Sequence, residues 1–140
     1  MSNSCGRMRT NYFRVTDADK LKEIIAKCQR TDCEEVLLFE EETEGETLYG
    51  FGCPAALQGY YDADAMEYDY DAFLDDLQTV IAPGDAAIIM EIGYEQLSYV
   101  SGMAIIVTRE KTESMDFTQL VLKKAAEVVG NPDYHTRIEY

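Results

Sequence analysis

Carboxylates and tyrosines hold most of the reactive chemistry in this sequence. The run Tyr60-Tyr61-Asp62-Ala63-Asp64-Ala65-Met66-Glu67-Tyr68-Asp69-Tyr70-Asp71, followed by Asp75 and Asp76, interleaves anionic and aromatic side chains. A second cluster is Glu40-Glu41-Glu42-Thr43-Glu44-Gly45-Glu46. Carboxylates this dense can bind a divalent cation, shuttle protons, or imitate the phosphates of a nucleic acid. In an extended chain Asp62 and Asp64 share a side, as do Glu67, Asp69 and Asp71, at about 6.6 Å, two strand rises. Two unit charges at that distance repel by roughly 0.6 kcal/mol in water before screening. A dozen such pairs would be a noticeable part of a typical stability of about 5–15 kcal/mol. Interspersed lysines would give solubility at a smaller cost, so the one-sign field points to attraction of a basic surface.

The charge is unevenly placed. The chain has 140 residues and a net charge of −15, from 12 Lys and Arg against 27 Asp and Glu. No Lys or Arg occurs between Arg30 and Arg109, while the 78 residues 31–108 hold 18 of the acids, 15 of them between Asp32 and Asp76. The flanks together carry +3. Such a chain repels nucleic acid and anionic membranes and attracts cationic protein surfaces. At 46% hydrophobic residues it is too apolar for a disordered acidic tail.

A protein groove that binds nucleic acid offers Lys and Arg to phosphates and aromatic or Arg planes to bases. The two clusters, Glu40, Glu41, Glu42, Glu44 and Glu46 with Tyr60 to Asp76, have the chemistry to occupy such a groove through bidentate Arg–carboxylate bonds. The expected partner is a basic nucleic-acid-binding protein, with the tyrosines serving either as interface anchors or as packing over the sheet. Two other readings use the same residues: an acidic loop that only keeps the chain soluble, and a divalent-metal module. An EF-hand loop counted from Asp62 fails, because position 6 is Glu67 rather than Gly and position 12 is Phe73.

Catalytic signatures are missing. There is no G-x-S-x-G, P-loop, H-E-x-x-H or G-x-G-x-x-G. Gly50-Phe51-Gly52 is a bare G-x-G followed by proline. Cys5, Cys28, Cys33 and Cys53 contain no C-x-x-C pair, and the only histidine, His135, is distant. Zinc needs a tighter ligand set, so thiols free in a reducing compartment are expected, with no metal and no cofactor. A non-enzymatic binding protein follows. No apolar h-region opens the sequence, and the longest apolar stretch, 86–107, is broken by Glu91, Gly93, Glu95 and Gln96. A cytoplasmic location is the expectation. Whether the chain pairs with its own copy is not set by these features.

The elements that position these residues follow from periodicity. Residues 11–15 predict a strand. Thr16 reads as a helix cap with Asp19 at the box position, and Leu21, Ile24, Ile25 and Cys28 form the stripe behind it. Residues 36–39 and 47–51 predict a hairpin around Glu44-Gly45, and 55–70 show no clear period. A helix is predicted from Asp71 on Phe73, Leu77 and Ile81, ending at Pro83-Gly84. Residues 86–92 and 97–108 predict a long hairpin with both faces apolar, hence a central strand covered on two sides. Asp116 caps a third helix with Phe117, Leu120, Val121, Ala125 and Val128 as its stripe. The order β-α-β-β-α-β-β-α gives one α+β domain over 1–140, with a mostly antiparallel five-stranded sheet and three helices. Its first six elements match the ferredoxin-like split βαβ order.

The segments Cys5-Gly-Arg-Met-Arg-Thr-Asn-Tyr-Phe-Arg14, Gly50-Phe-Gly-Cys53 and Gly130-Asn-Pro-Asp-Tyr-His-Thr-Arg137 resemble small acidic bacterial proteins carried on conjugative and phage-like elements. The resemblance implies an anti-defence role, as in anti-CRISPR and anti-restriction proteins, several of which are acidic nucleic-acid mimics. The partner would then be a defence nuclease. It assigns no functional residue.

Overall fold

The computed structural model describes residues 4–28, 36–55, 57–95 and 99–137. The order is β1 (Ser4–Thr10), α1 (Ala18–Lys27), β2 (Leu37–Thr43), β3 (Glu46–Cys53), β4 (Tyr60–Asp62), β5 (Glu67–Asp69), α2 (Tyr70–Val80), β6 (Ala87–Glu95), β7 (Tyr99–Val107), β8 (Thr112–Asp116) and α3 (Phe117–Val129). Six strands form an antiparallel sheet in the order β2-β3-β1-β6-β7-β8, and β4 pairs with β5 apart from it. The chain is therefore α+β with three helices among the described residues, but the sheet has six strands, not the expected five. The additional strand, Thr-Glu-Ser-Met-Asp, has every residue exposed and only one apolar side chain, so no period-2 pattern announces it.

The first strand lies at Ser4–Thr10 rather than at 11–15. Alternation is carried by Met8 and Thr10, buried, against Arg7 and Arg9, exposed. Asn11 then closes the ladder, donating from Nδ2 to the Ala86 carbonyl (3.0 Å) and accepting from the Ile88 N–H at Oδ1 (2.7 Å). Past it the chain leaves the sheet and pairs its backbone with β3 at the Phe13–Tyr49 bridge. Gly50 is required at that crossing, because a Cβ there would sit 2.9 Å from the Asn11 carbonyl oxygen.

The cap of α1 is Asp17, whose Oδ1 accepts from the Lys20 N–H at 3.0 Å, not Thr16. The Thr16 N–H instead donates to the Val80 carbonyl (2.8 Å), tying the start of α1 to the end of α2. The Glu44-Gly45 turn forms as expected, with φ of 52° and 80°, the positive pair of a type I′ hairpin. Asp116 caps α3, accepting from the Gln119 N–H at 3.1 Å.

Helices α1 and α2 lie against each other and cover one face of the sheet. Leu21, Ile24 and Ile25 of the first and Phe73, Leu77 and Val80 of the second are buried there. Phe13, Phe51 and Phe73 form an edge-to-face chain through this layer, with centroids 6.2 and 6.1 Å apart. The opposite face is barer than a central strand implies. Met90 and Ile92 of β6 are 47% and 59% exposed, and α3 buries none of its residues. The expected covering of β6 on two sides is therefore not made among the described residues. The turn of the long hairpin, residues 96–98, lies outside the described residues.

Phe73 is fully buried and meets rings from β3, β4 and its own helix. Phe73→Ala should lower unfolding free energy by about 3–5 kcal/mol, as large aromatic-to-alanine changes in cores do. Urea denaturation of the two proteins checks this; a loss under about 1 kcal/mol would show that the core does not depend on that ring.

Candidate functional site

The acidic segment 60–76 is a short hairpin run into a helix. Strands β4 and β5 pair Tyr60 with Asp69, Tyr61 with Tyr68 and Asp62 with Glu67. Three residue pairs do not hold a hairpin in water, so its stability is borrowed from the core. Tyr60 packs edge-on to Phe73 (6.0 Å) and donates its hydroxyl to Asp76 Oδ2 at 2.7 Å. Tyr70 meets the same ring at 5.5 Å. Lys27, in the last turn of α1, places its ammonium 5.2 Å from the Tyr60 ring centre. Gly59 makes the docking possible, since φ is +93° and a Cβ would stand 2.6 Å from Tyr70 Cα.

The tyrosines divide by role. Tyr60 and Tyr70 are half-buried, and desolvation, the largest cause, pushes both phenols above their ordinary range. They serve as packing. Tyr61 and Tyr68 stack on each other across the hairpin with centroids 4.9 Å apart. At the turn, Asp62 Oδ1 accepts from the Asp64 and Ala65 N–H groups (3.0 and 3.3 Å). Met66 follows with φ of 55°, a conformation costly for an unbranched non-glycine residue, and it is 77% exposed. Asp69 caps α2 by accepting from the Ala72 N–H at 2.9 Å.

Among the described residues no Lys or Arg lies within ion-pairing distance of Asp62, Asp64, Glu67, Asp69, Asp71, Asp75 or Asp76. The other cluster differs. Arg14 pairs with Glu46 at 3.2 Å and Lys22 lies 4.0 Å from Glu40, leaving Glu41, Glu42 and Glu44 without a cation among the described residues. The two clusters sit on different elements. Glu41 to Glu46 lie around the β2–β3 turn, with Glu40 opposite Tyr49 further along the hairpin, whereas Asp62 to Asp76 lie on the β4–β5 hairpin and α2.

No family model, curated protein or solved structure matches the chain. The geometry alone must carry the reading. Among the described residues no three His, Cys, Asp or Glu side chains converge as a metal set would. His135 is exposed, with Nδ1 3.3 Å from the Asp133 carbonyl oxygen. Cys28 and Cys53 are free and buried; burial pushes the Cys28 thiol up to about 12, which keeps it protonated and a poor nucleophile at neutral pH. Cys33 lies outside the described residues.

Pattern reading missed several supports. No pattern marks Lys27, and Gly59 and Met66 fall in the segment 55–70, which shows no clear period. Glu91 was an interruption in an apolar run. It points to the helix side, half-buried, and accepts the Leu57 N–H at Oε1 (3.0 Å), fixing the loop that leads into β4. Burial raises the Glu91 carboxyl above its ordinary 4.5, opposed by the Leu57 hydrogen bond.

A raised folded pKa means that the neutral acid is favoured by folding. The stability it contributes is complete below pH 4.5 and is lost as pH climbs through the folded value. Glu91→Gln keeps an acceptor for Leu57 and cannot ionise. Its melting temperature should exceed that of the parent at pH 7, and the two should converge below pH 4.5. A variant less stable by the same amount at both pH values would contradict this.

Proposed function

We propose that this chain is a non-catalytic binding protein that docks the surface formed by β4, β5 and the first turns of α2 on a basic, nucleic-acid-binding protein. One observation carries the reading: seven carboxylates from Asp62 to Asp76 have no ion-pairing cation among the described residues. Asp64, Glu67, Asp71 and Asp75 also make no side-chain hydrogen bond there. A groove lined with Lys and Arg would satisfy them through charge-assisted bonds, and steering would speed the encounter. Tyr61, Tyr68 and the exposed Met66 offer apolar contact within the same footprint. Glu41, Glu42 and Glu44, on the β2–β3 hairpin, would add to the field rather than to the footprint.

The partner class is a nuclease of a host-defence system, where an anionic mimic acts as a stoichiometric inhibitor; the resemblance to proteins of mobile elements supports this choice. The cellular setting that fits is reducing, with Cys28 and Cys53 kept as thiols. No helix among the described residues is long and apolar enough to cross a membrane. We read strands β2-β3-β1-β6 with α1 and α2 as a split βαβ unit of ferredoxin-like order, a scaffold that implies no activity of its own.

Capture of Cas nucleases and restriction enzymes at low and high salt tests the proposal. At least one should be retained and inhibited, with binding weakened about tenfold or more on raising salt from 50 to 200 mM, as for other interfaces built on several phosphate-like contacts. The variant D62N/D64N/E67Q/D69N/D71N, which keeps an oxygen acceptor at Asp69 and at Asp62, should keep or raise its melting temperature and lose capture. Capture unchanged in that variant would assign the carboxylates to solubility alone.

A further inference from the structure

The six-stranded sheet ends in β2 on one side and β8 on the other, and the two edges differ. Each of the five residues of β8 is exposed. The phase of its hydrogen bonds follows from the turn after β7, where the Thr108 N–H donates to the Lys111 carbonyl (2.9 Å). In an antiparallel ladder, bonded and non-bonded partners alternate. Ile106 with Glu113 and Ala104 with Met115 therefore exchange bonds, whereas Val107 with Thr112 and Ile105 with Ser114 do not. The N–H and C=O groups of Thr112 and Ser114, with the Asp116 N–H, point away from β7. Among the described residues nothing bonds to them. Such an edge is a template for another strand.

We infer that this edge pairs with the β8 edge of a second copy, in a two-fold dimer centred on Ser114 that joins the two sheets into one. A dyad there sets Ser114 against its own copy, Glu113 against Met115 and Thr112 against Asp116. All five residues overlap, and no like charges stand directly opposite, the placement that destabilises a strand pair. Glu113 already has Lys111 at 3.7 Å, and Asp116 Oδ1 is engaged as the cap of α3. The other edge fails the same requirement. Glu40, Glu41 and Glu42 follow one another along β2, and a full overlap of two such strands, centred on Glu40, puts two copies of its carboxylate opposite each other. An isologous contact needs a self-complementary edge, and only β8 offers one.

Helix α3 gives an independent reason. It starts where β8 ends, touches no strand but β7 and β8 appreciably, and buries none of its 13 residues. A helix of that length is marginal in water without a packed face. Seated over β7 and β8, it stands about one strand spacing, roughly 4.8 Å, from the proposed dyad. The dyad is normal to the sheet, so both α3 helices lie on the same face, and twice that offset brings them to about 9.6 Å, within the 8–10 Å of packed helices. Val121, Val128 and Val129 are 40%, 78% and 58% exposed and supply apolar area on α3. Charge does not oppose the approach: residues 99–137 hold five acidic and five basic residues, although the whole chain carries −15. The pairing involves neither β4 nor β5 and is independent of the docking surface proposed above.

Light scattering after size exclusion on the full chain reads the mass. The parent should run at twice 15.8 kDa, and its melting temperature should rise between about 1 and 100 μM. Ser114→Pro removes an N–H that makes no bond to β7, a change an edge strand tolerates. Circular dichroism should show an intact fold, and the mass should fall to 15.8 kDa. Ser114→Asp and Ser114→Lys test the dyad itself at an exposed position. Each alone opposes like charges and should be monomeric; mixed in equal amounts, they should restore the dimer mass. A parent monomeric throughout overturns the inference, as does a folded Ser114→Pro protein that still dimerises. Charged variants that each stay dimeric, or that stay monomeric when mixed, place the contact elsewhere and overturn it too. If Ser114→Pro fails to fold, the charged pair decides.

Discussion

Phe73 is the contact on which the arrangement depends. Its ring meets Phe51 from the sheet, Tyr60 from the acidic hairpin and Tyr70 from the start of its own helix. Through Phe51 the chain of rings continues to Phe13, the connector between β1 and α1. Three layers of the molecule thus share one fully buried side chain. The aromatic pairs add a directional preference to the area they bury, about 0.5–1.5 kcal/mol each, and it is direction that the hairpin needs. Strands of three residues carry too few backbone bonds to aim themselves.

This anchoring separates two surfaces of opposite character. The hairpin and the first turn of α2 hold carboxylates with apolar groups only at Met66 and the Tyr61–Tyr68 pair. The outer face of β6–β8 holds methionine, isoleucine, valine and phenylalanine, with Glu113 of β8 and Arg7 and Arg9 of β1 at its margins. Carboxylates set within that apolar face would each cost desolvation on burial, and apolar groups beside the hairpin would dilute its negative field. Charge on the helix side and apolar area on the bare side keep the two kinds of surface apart.

The parts of this fold that were legible in the sequence are those where local and tertiary forces agree. Leu21, Ile24, Ile25 and Cys28 are periodic and buried; Glu44-Gly45 supplies the positive φ values that its turn demands. Asp116 capped as its spacing required. The failures have a common cause. Tyr12-Phe13-Arg14-Val15 looks like a strand, but Asn11 captures backbone groups of β6 with its side chain and ends the ladder first. Thr16 looks like a cap, but its N–H is claimed by Val80, 64 residues away. Strand β8 forms because β7 offers an unpaired edge, not because its own residues alternate. In the first two cases a long-range hydrogen bond outweighs a local preference; in the third the edge of the adjacent strand supplies the pairing. The acidic surface was legible as composition and not as geometry: nothing local shows that Tyr60 turns inward to Phe73.

The hairpin carries an internal tension that bears on what it can bind. Asp62 and Glu67 stand directly opposite each other across β4 and β5, a placement in which like charges destabilise a strand pair. Among the described residues no cation pairs with either acid; Asp62 is held by the Asp64 and Ala65 N–H groups, and the Tyr60–Asp76 bond ties β4 to α2. A guanidinium seated across Asp62 and Glu67 would convert that repulsion into two charge-assisted bonds, so binding would stabilise the pairing of the two strands by linkage. A neutral or anionic ligand gains nothing from the pair. The same geometry that costs the free protein stability therefore favours cationic partners over others, and it does so most strongly at low ionic strength, where the repulsion is least screened.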